Sequence, residues 1–179
     1  MKRVRAAIAG CVLVLLLLSP GLAQRQREAL TNPEIDQLRD TALEPDLRLK
    51  LYVKFARARL ATLEQARSDP KTTDRGQETH DRLQEFLDVY DEMNENIDTY
   101  VERKSDLRKV LKTVVEADTE FQAKLRALKD AANTAKEEAK QYEFLLSTAL
   151  ETLDSSAQDH RQLLTEQEEA AKQKKKTKP

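Results

Sequence analysis

Residues 83–153 read LQEFLDVY DEMNENIDTY VERKSDLRKV LKTVVEADTE FQAKLRALKD AANTAKEEAK QYEFLLSTAL ETL, and counting in sevens along this stretch decides the fold. Every seventh residue from Phe86 gives Phe86, Met93, Tyr100, Leu107, Val114, Phe121, Leu128, Ala135, Tyr142 and Ala149, an apolar and aromatic column. The companion column runs Leu83, Tyr90, Ile97, Lys104, Leu111, Asp118, Leu125, Ala132, Ala139, Leu146 and Leu153. Two such columns, repeating every seven residues, mark the face by which helices pack on one another. The fold class expected is all-α: an elongated antiparallel helical hairpin or coiled-coil bundle, its heptad seam running from about Leu83 to Leu153.

Composition points the same way. Charged residues make up 35% of the chain, aromatics 4%, and Trp is absent. Of three glycines only Gly76 lies beyond residue 21, and from Gln77 to Lys178 there is neither Gly nor Pro. A sheet needs turns, and turns draw on those residues. A chain rich in Ala, Glu, Lys, Leu, Arg and Gln with so few breakers is helical and elongated.

The helix boundaries can be placed from the few breakers there are. Thr31 or Asn32 caps a first helix, with Pro33 in its first turn and Glu34 where a capping box places an acid. Pro45 ends that helix and opens a second, whose stripe is Leu49, Tyr52, Val53, Ala56, Leu60 and Leu63. Ser68-Asp69-Pro70 stops it, and Lys71 to Gly76 reads as a turn. A long helix from Gln77 to Asp130 should follow, about 80 Å at 1.5 Å per residue. A break is expected at Asp130–Asn133, where Thr134-Ala135-Lys136-Glu137 reads as a capping box; Lys104-Ser105-Asp106 is a second candidate. The last helix carries Tyr142, Leu145, Leu146, Ala149, Leu150 and Leu153. Past Thr165 the chain turns to Glu, Gln, Ala and Lys and should fray.

The N-terminus has three zones: cationic Lys2, Arg3 and Arg5, an apolar run from Ala6 to Leu18, then Ser19-Pro20 and the small-x-small triplet Gly21-Leu22-Ala23. That order is a secretory signal, with cleavage expected after Ala23 and a periplasmic or secreted destination. The apolar run falls short of the roughly 20 residues a spanning helix needs. Cys11 sits inside the run, with most of the apolar residues after it, so it reads as one more apolar residue rather than a lipidation site. The expected organisation is signal peptide 1–23, flexible lead-in 24–32, one helical domain 33–168, and a lysine-rich disordered tail 169–179. Removing the signal takes away the only cysteine and three cations, leaving 28 Lys and Arg against 32 Asp and Glu. This mildly acidic balance argues against nucleic acid as a partner, because phosphate binding needs cationic excess.

The chemistry-bearing motifs are few. A di-iron bundle needs Glu-x-x-His pairs, and neither His80 nor His160 has a Glu three residues before it. Covalent haem would need Cys-x-x-Cys-His. His80 lies near Glu78 and Asp81, and His160 follows Asp159, pairings common on a charged surface. There is no Gly-x-Ser-x-Gly, and Glu116, Glu120, Glu137 and Glu138 read as a solvated, ion-paired face. No catalytic, cofactor-binding or metal-ligating residue is assigned. Lys104 and Asp118 interrupt the companion column. Lys104 can carry its ammonium out to water, whereas Asp118 is too short for that, so it is expected to mark an open seam or a contact with a basic group on a partner.

An export signal followed by a coiled coil resembles the periplasmic chaperones that grip unfolded outer-membrane proteins with helical tentacles, although those are basic. Leu30-Thr31 and Leu164-Thr165-Glu166-Gln167 are similar to the Leu-Thr-x-x-Gln repeats of small helical envelope-stress proteins. The first lacks the Gln and the second has it one residue early. No functional residue carries over. The function expected is a non-enzymatic, exported helical protein, a protein-interaction, chaperone-like or structural factor of the cell envelope. It would bind a protein partner through a helical face or associate with itself, and its lysine tail could touch anionic lipid headgroups or cell-wall polymers. The alternative is a small envelope-stress or metal- or ligand-responsive bundle.

Overall fold

Pro33 and Pro45 each stand in the first turn of a helix, where a missing N–H costs nothing. In the computed structural model, which describes residues 29–176, they open α1 (Asn32–Asp40) and α2 (Pro45–Ser68). There follow α3 (Arg75–Glu102), α4 (Arg108–Ala132), the single turn α5 (Lys136–Ala139) and α6 (Glu143–Lys176). All regular structure among the described residues is helical. The expected signal peptide, 1–23, lies outside the described residues.

The four long helices form two antiparallel hairpins laid side by side. In one, Arg48 of α2 meets Asn96 of α3 and Arg67 meets Thr79. In the other, Leu107 at the start of α4 meets Gln167 of α6, and Gln122 meets Asp154. Across the hairpins the helices run parallel: Arg57 and Glu64 of α2 bond Glu120 and Lys124 of α4. Asn94 of α3 reaches Ser156 of α6. The neighbours are thus α2–α3, α3–α6, α6–α4 and α4–α2, which puts the consecutive helices α3 and α4 at opposite corners of a four-helix bundle. Their connection crosses the end of the bundle, and six residue steps reach up to about 20 Å.

Both heptad columns are core. Every member is buried except Ala135, which is partly covered, and Lys104, which is exposed. The pattern therefore identifies the interior correctly while overstating the length of the helix. The run expected as one helix from Gln77 to Asp130 is divided at residues 103–107, at the second candidate break Lys104-Ser105-Asp106, so the chain folds back into a bundle rather than extending as a long hairpin. The divide is a Schellman closure: Lys104 takes a left-handed conformation with φ of 58°, its N–H bonds the Val101 carbonyl, and the Ser105 N–H bonds the Tyr100 carbonyl.

Three other boundaries differ from expectation. Thr134 does not cap the helix after it; its hydroxyl donates to the Ala131 carbonyl at 2.7 Å and so closes α4 behind it. Gly76 is not in the turn. Asp74 caps α3 through the Gln77 N–H, and Gly76 is buried in the first turn of the helix, where α3 passes close to Glu138 and Gln141. The chain expected to fray after Thr165 stays helical to Lys176. Ala170 and Ala171 favour helix, Glu168 precedes Lys172 by four residues, and lysines suit the negative end of the helix dipole.

Candidate functional site

The bundle centre is filled by large rings from opposite corners. Phe86 and Tyr90 of α3 stack at 5.8 Å between centroids, and Phe121 of α4 meets them edge-on at 5.4 and 6.3 Å. Among these rings lies a polar cluster. The Tyr90 hydroxyl donates to Oδ1 of Asp118 at 2.8 Å, and Nδ1 of His160 lies 2.9 Å from Oδ2. Tyr90 and Asp118 are fully buried and His160 is 4% exposed. A carboxylate at this position accepts both bonds, which assigns the hydrogen to Nδ1 of His160. Burial, and after it the negative charge of Asp118, pushes the Tyr90 phenol far above its ordinary range, while a hydrogen bond with Ser156 pulls the other way.

This arrangement corrects two expectations. Asp118 marks neither an open seam nor a partner contact, because its partners are supplied within the chain by α3 and α6. His160 is not a surface histidine beside Asp159. The signal for it was in the sequence: continuing the companion column one heptad past Leu153 arrives at His160. Tyr90, Asp118 and His160 are thus three members of one column, one on each of three helices.

The remaining candidates are dispersed. His80 lies 3.4 Å from Asp81, both partly exposed. Glu120 bonds Arg57 in a bidentate pair and Glu137 bonds Lys140 on the surface. Glu138 takes the Arg67 guanidinium at 2.7 Å, beside Thr79 and the Tyr142 ring. Among the described residues no three His, Cys, Asp or Glu side chains gather as a metal site would require, and no helix is long and apolar enough to cross a membrane.

A second ordered cluster fixes α1 to the bundle. Glu34 accepts the Thr31 N–H and hydroxyl at 2.8 and 2.9 Å, and Arg59 of α2 grips its two oxygens at 3.0 and 2.6 Å. Burial raises the Glu34 carboxyl, but the bonds from Arg59 and Thr31 outweigh it and hold the group below the ordinary range.

Chemically, the Tyr90–Asp118–His160 cluster has the residue types of acid–base catalysis without access. The crevice between α2 and α4 is lined by Leu60, Leu63, Lys124 and Leu128, and that beside the end of α6 by Lys104, Arg108, Gln167 and Lys174; neither includes a member of the cluster. Its effect is to tie three helices together. Fold and cluster together define an all-α protein with a polar clasp at its core. Set against protein-family models, curated proteins and solved structures, the chain matches none.

Proposed function

We propose that this chain is an exported, non-enzymatic helical protein of the cell envelope that works through its outer surface as an interaction or chaperone-like factor. The observation that carries the reading is the burial of Asp118 and His160, at 0% and 4% exposure, against each other. The side-chain pair best suited to proton transfer is spent on holding α4 to α6, which leaves the faces of the bundle as the working part. The heptad columns are likewise filled by the chain's own helices, so the interaction surface is the charged exterior rather than the seam. Export is supported by the cationic, apolar and small-x-small zones of residues 2–23.

Cell fractionation with intact-mass analysis tests the proposal. The expected result is a species beginning at Gln24 in the envelope or secreted fraction, with in-cell cross-links to a protein partner that disappear when surface charges are reversed. A cytoplasmic species retaining Met1 would overturn export. A processed protein whose fold responds to a metal or small ligand would favour the responsive-bundle alternative.

A further inference from the structure

The charges of this chain are sorted by position. Residues 103–109 carry Arg103, Lys104, Arg108 and Lys109 against the single acid Asp106, and between Glu169 and the end of α6 at Lys176 come four lysines and no acid. The fold brings these two segments to one end. Gln167 of α6 accepts the Leu107 N–H and donates to the Ser105 carbonyl, which seats α6 against the α3–α4 connection. From there α6 continues nine residues to Lys176, about 13 Å, with Lys172, Lys174 and Lys176 exposed. Residues 103–109 and the stretch of α6 beyond Gln167 together carry eight cations and three acids (Asp106, Glu168 and Glu169), while the other described residues have seventeen cations and twenty-eight acids.

The opposing charge is concentrated on α3. Between Leu83 and Glu102 there are seven acids and no cation, and Asp91, Glu95, Asp98 and Glu102 are exposed at helical spacing along one face. No described cation forms a salt bridge with these four.

We propose that the cationic end formed by residues 103–109 and the end of α6 docks on an anionic lipid bilayer, the bundle standing on that end. An extended anionic surface attracts the end and repels the α3 face, so charge alone selects the end-on orientation over one lying flat. The cations are spread over a connection and an exposed helix, which suits many weak contacts with a surface better than one bound anion. On the α1–α2 side of the same end, Glu44 and Asp46 accompany the exposed Leu43 and Leu47, so the contact belongs to the α4–α6 side. The inference extends the interaction reading and rests on it only for the compartment; vesicle binding is read without it.

Co-sedimentation of the purified chain, with the N-terminus the cell leaves on it, provides the test. Vesicles of equal parts phosphatidylglycerol and phosphatidylcholine should bind it, pure phosphatidylcholine should not, and added salt should release it. Lys104→Gln with Lys109→Gln, and separately Lys172→Gln with Lys176→Gln, should weaken binding by about fivefold per lysine. These positions are exposed and the variants share the parent N-terminus, so the comparison isolates the cationic end. Lys136→Gln with Lys140→Gln, at the opposite end, should leave binding unchanged. Equal binding to neutral vesicles, insensitivity to substitutions at the cationic end, or binding of soluble polyphosphate without binding of vesicles would overturn the proposal. Failure here with a processed, exported chain would leave the proposed function standing.

Discussion

His160 places Nδ1 2.9 Å from the Asp118 carboxylate in the interior of the bundle, and the other oxygen of that carboxylate takes the Tyr90 hydroxyl. One short acidic side chain on α4 thereby holds α6 on one side and α3 on the other. Tyr90→Phe keeps the ring stacked on Phe86 and removes only the hydroxyl. It should cost about 1–2 kcal/mol, since Asp118 loses a donor it cannot replace from water. Denaturant melts of the variant check this; an unchanged midpoint would mean that the bond contributes nothing.

Gly76 is needed for space. A Cβ there would lie 2.8 Å from the Gln141 side chain and 2.9 Å from the Glu138 carbonyl oxygen. Ala gains up to about 1 kcal/mol in helix propensity. The Gln141 side chain can swing aside, but the backbone carbonyl cannot, so Gly76→Ala should be net destabilising by about 1–2 kcal/mol. Adding Gln141→Ala should not restore the melting temperature.

Lys104 is the opposite case. At φ of 58° it occupies the glycine position of a Schellman closure, where a Cβ is a steric burden. Lys104→Gly should stabilise the protein by about 1 kcal/mol, read as a higher melting temperature. A drop would show that the α3–α4 connection takes another conformation.

The Arg59–Glu34 pair gives the chain an acid-sensitive joint. The Glu34 carboxyl is held below its ordinary value of 4.5 when folded. Its contribution is therefore complete above about pH 4.5 and is lost as pH falls through the lowered value. Glu34→Gln should cost about 2 kcal/mol at neutral pH, and the gap between parent and variant should close on acidification. Urea melts across the acid range measure that gap; a gap constant into strong acid would contradict the pairing.

The sequence makes the core readable and the chain path much less so. The two heptad columns name the buried positions from Leu83 to Leu153 because burial on a helix follows a fixed period, whichever neighbour covers it. They cannot say whether that neighbour is the same helix's continuation or another corner of the bundle. The divide at 103–107 depends on a left-handed lysine, a conformation that side-chain chemistry does not advertise as a glycine would. Asp118 stood out as a charge in an apolar column, but its partners are 28 residues before and 42 residues after it. Only the shared column links them, and that relation acquires meaning once three helices converge.

The measurement that bears most directly on the polar clasp is the stability of Asp118→Leu. If the column were a plain apolar seam, leucine would repair it and the melting temperature would rise. With Asp118 bonding Tyr90 and His160 in the interior, the substitution takes the carboxylate acceptor from two buried donors and leaves Tyr90 only its hydrogen bond with Ser156. The account predicts a loss of about 3 kcal/mol and a lower melting temperature. A rise in the melting temperature of Asp118→Leu would contradict it.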